Sequence, residues 1–385
     1  MTKQLAIIMV LLMTVFIGFG IIIPVLPEMV TPFHLGIMLA VYSAASFLMS
    51  PVWGALSDRY GRRPIILIGI LGFSLSFFLF GISSDSLFIM YLSRILGGFF
   101  SGAVMSCAVA YVADITSEED RTKGMGLVGM SIGLGFIFGP AIGGLLSQFG
   151  YSIPFFASSV LALFTFIFAL LYLTESFTLH KRNQPGVIKV SRWKAFAGSI
   201  KYLYILGFLV SFTLAGLEFT LYYFEKVKFG ITPMDMGYMF LISGIVGALV
   251  QGGIVRRFIK KGDEQKVIPI GLILSALGFF LLLLSKDFLT ASIYLSIFAV
   301  GNALLRPCIT SLITQKTKVG QGVATGLSSS MDSLGRITGP LIASAAYSLN
   351  IHLPFIVGGI ICFAAISLLY RFVSLDRKKK LSAAA

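Results

Sequence analysis

The chain has 385 residues, of which 57% are hydrophobic and only 12% charged, with a formal net charge of +14. A soluble domain carries about twice that charged fraction, so a soluble fold is excluded. A nucleic-acid binder, which the net charge alone suggests, is excluded by where the basic residues fall: they gather in every second connection between apolar segments.

Twelve such segments follow one another. They cover about 5–27, 34–56, 64–83, 87–112, 124–149 and 153–175, then about 200–225, 234–258, 267–285, 289–314, 322–348 and 353–373. Each is long enough to cross a hydrocarbon core of roughly 30 Å. In lipid each must be a helix, because every backbone N–H and C=O needs an internal partner. The chain reads as an all-α membrane protein with twelve transmembrane helices. Nothing resembling a cleavage site follows the first segment, which is expected to remain as a helix. About six residues (28–33) join the first two segments, a short link.

Lys3 precedes segment 1. Arg59, Arg62 and Arg63 follow segment 2, and Arg121 and Lys123 follow segment 4. Lys181, Arg182, Lys189, Arg192, Lys194 and Lys201 lie between segments 6 and 7. Arg256, Arg257, Lys260, Lys261 and Lys266 follow segment 8, and Lys316 and Lys318 follow segment 10. Arg371 and the run from Arg377 to Lys380 close the chain, while the other set of loops holds only Lys226, Lys228 and Lys286. By the positive-inside bias both termini are expected in the cytoplasm of a multi-pass cell-membrane protein.

The longest polar stretch divides six segments from six. The expected domains are 1–175, a cytoplasmic linker at 176–199 centred on Gln184-Pro185-Gly186, and 200–385. An internal repeat supports the division. Gly135-Phe136-Ile137-Phe138-Gly139-Pro140 stands 200 residues before Gly335-Arg336-Ile337-Thr338-Gly339-Pro340, and Pro154-Phe155 maps at the same offset onto Pro354-Phe355.

Three motifs stand out. The first is the turn Gly54-Ala55-Leu56-Ser57-Asp58-Arg59-Tyr60-Gly61-Arg62-Arg63. The second is Leu92-Ser93-Arg94-Ile95-Leu96-Gly97-Gly98-Phe99-Phe100-Ser101-Gly102-Ala103 in segment 4. The third is Gly135-x-x-x-Gly139-Pro140-x-x-Gly143-Gly144 in segment 5. Together, in this order, they resemble the major facilitator superfamily of transporters. The third resembles the pattern of drug–proton antiporters with twelve helices, of the Bmr- and NorA-type multidrug exporters and their tetracycline-exporting relatives. The resemblance implies two six-helix bundles related by a pseudo-two-fold axis, with substrate bound between the halves.

Asp58 is suited to accept hydrogen bonds from nearby helix N-termini, and Arg59 and Arg62 to pair with carboxylates, so this turn is expected to act in gating. A bland reading is that Arg59, Arg62 and Arg63 only fix topology. Gly135, Gly139 and Gly143 form a bare stripe that admits another helix closely, and Pro140 permits a bend. The resemblance implies that segments 5 and 8 face each other, with Gly252 and Gly253 near the partner surface.

Charges within apolar segments are costly and mark function. Arg94 is expected in the proton relay, on the resemblance, or as a structural counter-charge. Glu218, among apolar and aromatic neighbours, is the acid expected to couple to protons, since desolvation favours the neutral form of a buried carboxyl. Glu225 is expected as a solvated rim acid. Arg306, expected with Glu218 and Arg94 in proton coupling, precedes Pro307 in a segment resembling span 10 of the multidrug exporters. Asp332 and Arg336, four apart, share a helix face and are expected to neutralise each other.

The relatives commonly carry an acid where this chain has Asn302. Spans 1, 4, 7 and 10 are expected, on the resemblance, to line the cavity, offering Phe16, Phe19, Met105, Phe212, Phe219, Tyr222 and Asn302, with Tyr223 and Phe298. Such walls suit amphipathic, often cationic compounds.

The function expected is proton-coupled efflux of hydrophobic drugs by alternating access, by a monomer without cofactor or metal. No P-loop is present, so ATP is not the energy source. A dedicated exporter of one compound, such as tetracycline, a sugar or a metabolite, is the alternative. An enzyme is not expected: no Ser/His/Asp set appears, Cys107, Cys308 and Cys362 lie far apart, and His34, His180 and His352 fall near helix ends.

Overall fold

The computed structural model describes residues 3–84, 86–117, 121–176, 196, 198–255, 257, 262–317 and 321–384. The linker centred on Gln184-Pro185-Gly186 lies outside the described residues. So do Lys181, Arg182, Lys189, Arg192, Lys194, His180, Arg256, Lys260, Lys261 and Lys318, and the side chains of Arg121, Lys123 and Arg377 to Lys380.

The described residues form twelve helices and no strand. They are α1 (Lys3–Met29), α2 (Pro32–Tyr60), α3 (Arg62–Gly81), α4 (Leu87–Ile115), α5 (Arg121–Ser147) and α6 (Ile153–Tyr172). After the linker come α7 (Lys201–Phe229), α8 (Pro233–Leu249), α9 (Glu264–Leu282), α10 (Phe288–Lys316), α11 (Gln321–Leu349) and α12 (Leu353–Ala384). A wider π turn over Val250–Val255 extends α8.

Several helices run past the apolar segments that announce them. α1 and α2 continue until only Val30 and Thr31 separate them, so the link is shorter than the six residues expected. Pro32 starts α2, where its missing N–H costs nothing. Asp287 caps α10 by accepting from the Thr290 N–H at 2.8 Å, and that backbone bond holds its exposed carboxyl below the usual aspartate range.

Eleven helices are long and apolar enough to cross a membrane among the described residues; α11 falls short of the twelfth. It carries Ser328-Ser329-Ser330, Asp332 and Arg336 along its length.

Contacts divide the chain into two units: residues 1–186 with 232–241, and residues 187–231 with 242–385. Both are packed by the same plan. In the first, α5 lies along α1, α4 packs on α2 and α3, and α6 on α3 and α1. In the second, α11 lies along α7, α10 packs on α9, and α12 on α9 and α7. The duplicated Pro-Phe shows the equivalence. Phe155 and Phe355 are both fully buried, and each lies beside a ring of the equivalent helix, Phe77 of α3 at 6.4 Å and Phe279 of α9 at 6.5 Å.

Glycines set the close crossings of α5 on α1 and of α11 on α7. A Cβ on Gly139 would lie 2.8 Å from the Gly20 Cα, and one on Gly339 2.5 Å from the Phe212 carbonyl oxygen. The stripe Gly135, Gly139, Gly143 therefore serves α1. The side of α5 facing the start of α8, within the first unit, is Pro140 and Gly144, which meet Gly237 and Pro233. Gly252 and Gly253, expected near the surface that faces segment 5, have nothing within 4 Å of an added Cβ.

Candidate transport site

In the second unit the crossing of α7 and α11 brings charge together. Gly335 lies between Asp332 and Arg336, and its bare backbone admits α7 so closely that an added Cβ would stand 2.7 Å from the Phe212 nitrogen. Short side chains then reach across. Ser211 on α7 donates to Asp332 at 2.7 Å, and Arg306 on α10 donates to Ser211 at 3.2 Å. Arg336 Nη1 lies 3.9 Å from Glu218 Oε2, with the two side chains 20% and 11% exposed.

Glu218 and Arg306, read singly from the sequence, and the expected pair Asp332 and Arg336 thus belong to one cluster on three helices. The ion pair of Arg336 runs to Glu218 on α7, and Asp332 is held through Ser211, a residue the sequence analysis passed over. With all four ionised the cluster is neutral. At the 200-residue offset of α5 and α11 the first unit has Phe136 for Arg336, and Phe136 packs on Phe16 and Phe19 at 5.1 and 5.6 Å. The charge is a property of one half of the repeat.

Arg94 sits in the first unit, 1% exposed, with its guanidinium 4.6, 5.2 and 6.0 Å from the rings of Phe80, Phe77 and Tyr42. It donates to Ser93 at 3.4 Å; Nε and Nη1 have no hydrogen-bond partner among the described residues. Ring faces, rather than a carboxylate, surround this cation.

Among the expected wall residues, Phe219 and Tyr222 are buried, as is Phe298. Phe16, Phe19, Met105, Phe212 and Asn302 are half-buried and keep surface to offer a ligand. Asn302 lines a crevice of about 10 Å³ with Thr213, Ser275 and Cys362, which is room for one water. A drug needs roughly 300 Å³ or more, so this crevice inside the second unit does not hold one.

Glu225 corrects the expectation of a rim acid. It is 0% exposed, because the turn after α9 covers it and Ser285 bonds its carboxylate.

The turn between α2 and α3 is built on Gly61, whose φ of +108° suits glycine. Arg62 is its centre. It pairs with Asp58 at 2.7 Å and with Asp114 of α4 at 3.2 Å, and donates to Ser57. Asp58, expected at a helix N-terminus, is spent on Arg62. The N–H groups of Arg62 and Arg63 are taken instead by Glu175, at 2.9 and 3.2 Å. Arg59 is exposed, with its guanidinium 5.3 Å from the Tyr60 ring. Asp114 and Glu175 were not singled out from the sequence, since nothing local marks an acid 52 or 113 positions away as a partner.

Asp58 is 61% exposed and Asp114 keeps Ser176 as a donor, so losing Arg62 costs less than the about 3–5 kcal/mol of a fully buried pair. Arg62→Ala is expected to lower the melting temperature of the purified protein below that of the exposed-site variant Arg59→Ala. Equal melting temperatures would show that the network contributes no net stability.

Twelve helices in two repeated units, with charge gathered between helices inside one of them, define a membrane carrier. The sequence pattern described as Major Facilitator Superfamily matches residues 8–263 and 262–385. The chain belongs to the Major Facilitator Superfamily. It is similar to Multidrug resistance protein 2 of Bacillus subtilis strain 168, with 34% identity over 380 residues covering 95% of each chain. It is also similar to the Quinolone resistance protein NorA of Staphylococcus aureus strain COL, with 30% identity over 365 residues covering 92% of each. Among solved structures, a bacterial homolog of the human lysosomal transporter Spinster shares the fold with a TM-score of 0.79 and 13% identity, over 96% of each chain. The human organic anion transporter MFSD10 does so at 0.73 and 24% identity, over 96% of this chain and 100% of that one.

Proposed function

We propose that this protein exports hydrophobic, often cationic drug-like compounds across the bacterial cytoplasmic membrane in exchange for protons. It does so by alternating access, as a monomer with both termini in the cytoplasm. The similarity to multidrug and quinolone resistance proteins over more than nine-tenths of the chain supports the substrate class.

The observation that carries the coupling is the Glu218–Arg336 pair, half-buried at mid-helix and separated by 3.9 Å. At that distance the pair is loose and separable. Ionised Glu218 attracts a cationic substrate in competition with Arg336. A proton arriving at Glu218 neutralises it, which releases the substrate and leaves Arg336 to repel the departing cation. Arg306, two contacts away through Ser211, places a second positive charge beside the cluster. Phe16, Phe19, Met105, Phe212 and Asn302 supply half-buried surface for the apolar body of the substrate. The Asp58–Arg62–Asp114 network, with exposed Arg59 beside it, and the α5 crossing at Gly135, Gly139 and Pro140 serve as the gating elements. Arg94, a buried cation in a ring cage, biases the electrostatics of the first unit.

One charge crossing 100 mV is worth about 2.3 kcal/mol, enough to move substrate uphill. Purified protein in proteoliposomes under an imposed pH gradient is expected to drive a cationic dye against its concentration, and a protonophore to stop it. Dye movement indifferent to the protonophore would refute proton coupling, and movement of one compound alone among unrelated drugs would refute the broad substrate class.

A further inference from the structure

α7 carries polar groups at every seventh position: Ser211, Glu218 and Glu225. Seven residues make nearly two turns, so the three lie on one helix face, about 10 Å apart along the axis. The first two belong to the cluster with Arg306, Asp332 and Arg336. The third has no part in the exchange proposed above, yet it is wholly buried, one turn from the end of the helix.

The surroundings of Glu225 form a connected chain. Lys228 donates to Ser285 at 3.2 Å and to the Leu283 carbonyl at 2.8 Å. The Ser285 hydroxyl lies 2.9 and 2.8 Å from the two Glu225 oxygens. It also lies 2.8 Å from the Leu282 carbonyl. A hydroxyl has one hydrogen, so it serves either Glu225 or Leu282, but not both. While it points at Glu225, the carboxylate is stabilised. When it turns to Leu282, Glu225 is left facing a lone pair of the same oxygen and accommodates a proton of its own. The other charged or titratable groups nearby are Lys226, 5.6 Å from the Tyr222 ring, Lys286 next to Ser285, and His352, whose ring stands 5.6 Å from Phe224.

A tie between α7 and the end of α9 does not need this acid. Lys228 already crosses from α7 to the Leu283 carbonyl and the Ser285 hydroxyl. A buried carboxylate is costly where apolar packing would serve. We propose that Glu225, with Ser285 and Lys228, is the entry station through which protons reach Glu218 along one face of α7; this rests on the reading of Glu218 as the exchange acid.

The step balances as follows. A hydronium ion at that end gives its proton to the Glu225 carboxylate and leaves as water, while the Ser285 hydrogen turns to Leu282. The Glu225 carboxyl then passes its proton through water, past Tyr222, to the Glu218 carboxylate. Glu225 returns to its ionised form and Ser285 turns back. Tyr222 stands four residues after Glu218 and three before Glu225, on the same face.

The test compares two modes of transport by Glu225→Gln, Ser285→Ala and Ser285→Thr in proteoliposomes. Dye exchange without a pH gradient needs no proton entry, whereas gradient-driven transport does. For Glu225→Gln and Ser285→Ala, exchange is expected to stay at the level of the unaltered protein. Gradient-driven transport is expected to fall about a hundredfold or more, the scale of a lost proton-transfer group, with a flattened pH profile. Ser285→Thr keeps the hydroxyl and is expected to restore both rate and profile. If both modes fall together, the cluster is only a structural tie and the proposal is overturned; it is equally overturned if neither falls. Should Glu225→Gln fail to fold, Ser285→Ala decides by the same criteria. Glu218→Gln is run alongside. If it keeps gradient-driven transport, the reading of Glu218 fails and the entry station with it. If it loses that transport while Glu225→Gln keeps it, only the entry station fails.

Discussion

Glu218→Gln is expected to abolish gradient-driven efflux of a cationic dye while leaving the protein folded. The amide keeps the volume of the side chain and removes the charge that both Arg336 and the substrate seek. Loss of a group that must gain and release a proton costs about a hundredfold or more in rate. Arg336 also loses its acid and is left 20% exposed without it, so some loss of thermal stability accompanies the change. The double variant Glu218→Gln with Arg336→Gln is expected to recover that stability but not the transport. Efflux from cells and melting in detergent read the two effects separately. A Glu218→Gln protein that pumps at the normal rate would remove this acid from the mechanism.

The second large effect lies in the first unit. Gly139→Leu is expected to leave little protein that extracts from membranes as a single species. A Cβ there would stand 2.8 Å from both the Gly20 Cα and the Ile17 carbonyl oxygen. Both are backbone, so no side chain can turn aside and α1 must move away along its length. Overpacking of a tight site costs about 1–3 kcal/mol, and the three further carbons of leucine have nowhere to go. Gly133, on the same helix, has nothing within 4 Å of an added Cβ. Gly133→Leu is the matched control and should extract normally. Size-exclusion profiles of membrane extracts compare the two, and matching profiles would show that the α1–α5 crossing is not as tight as drawn.

The fold was legible in the sequence because lipid leaves the chain few choices. Helices must be about twenty apolar residues long and fully hydrogen-bonded within themselves, and the Gly-x-x-x-Gly-Pro and Pro-Phe repeats showed that the second half follows the first. Local spacing served less well for partners. Asp332 and Arg336 are four apart on α11, which suggested each other, but α7 crosses between them at Gly335 and supplies Ser211 and Glu218. Glu175 caps α3 from the end of α6, a contact set by the bundle and not by neighbouring residues. Glu225 was misjudged because nearness to a helix end was taken for nearness to water. The fold places the turn after α9 over it, and no feature of residues 220–230 reveals that.

The polarity of α11 bears on how the protein is made. Asp and Arg near the middle of a segment each oppose insertion by about 3 kcal/mol, and three serines add nothing in favour. The helix gains its place from α7, whose Ser211 and Glu218 receive those charges. During synthesis α7 emerges long before α11 and must wait in the bilayer with its own acid unmatched. α12 is strongly apolar, so a hairpin of α11 and α12 carries a drive for insertion that α11 alone lacks.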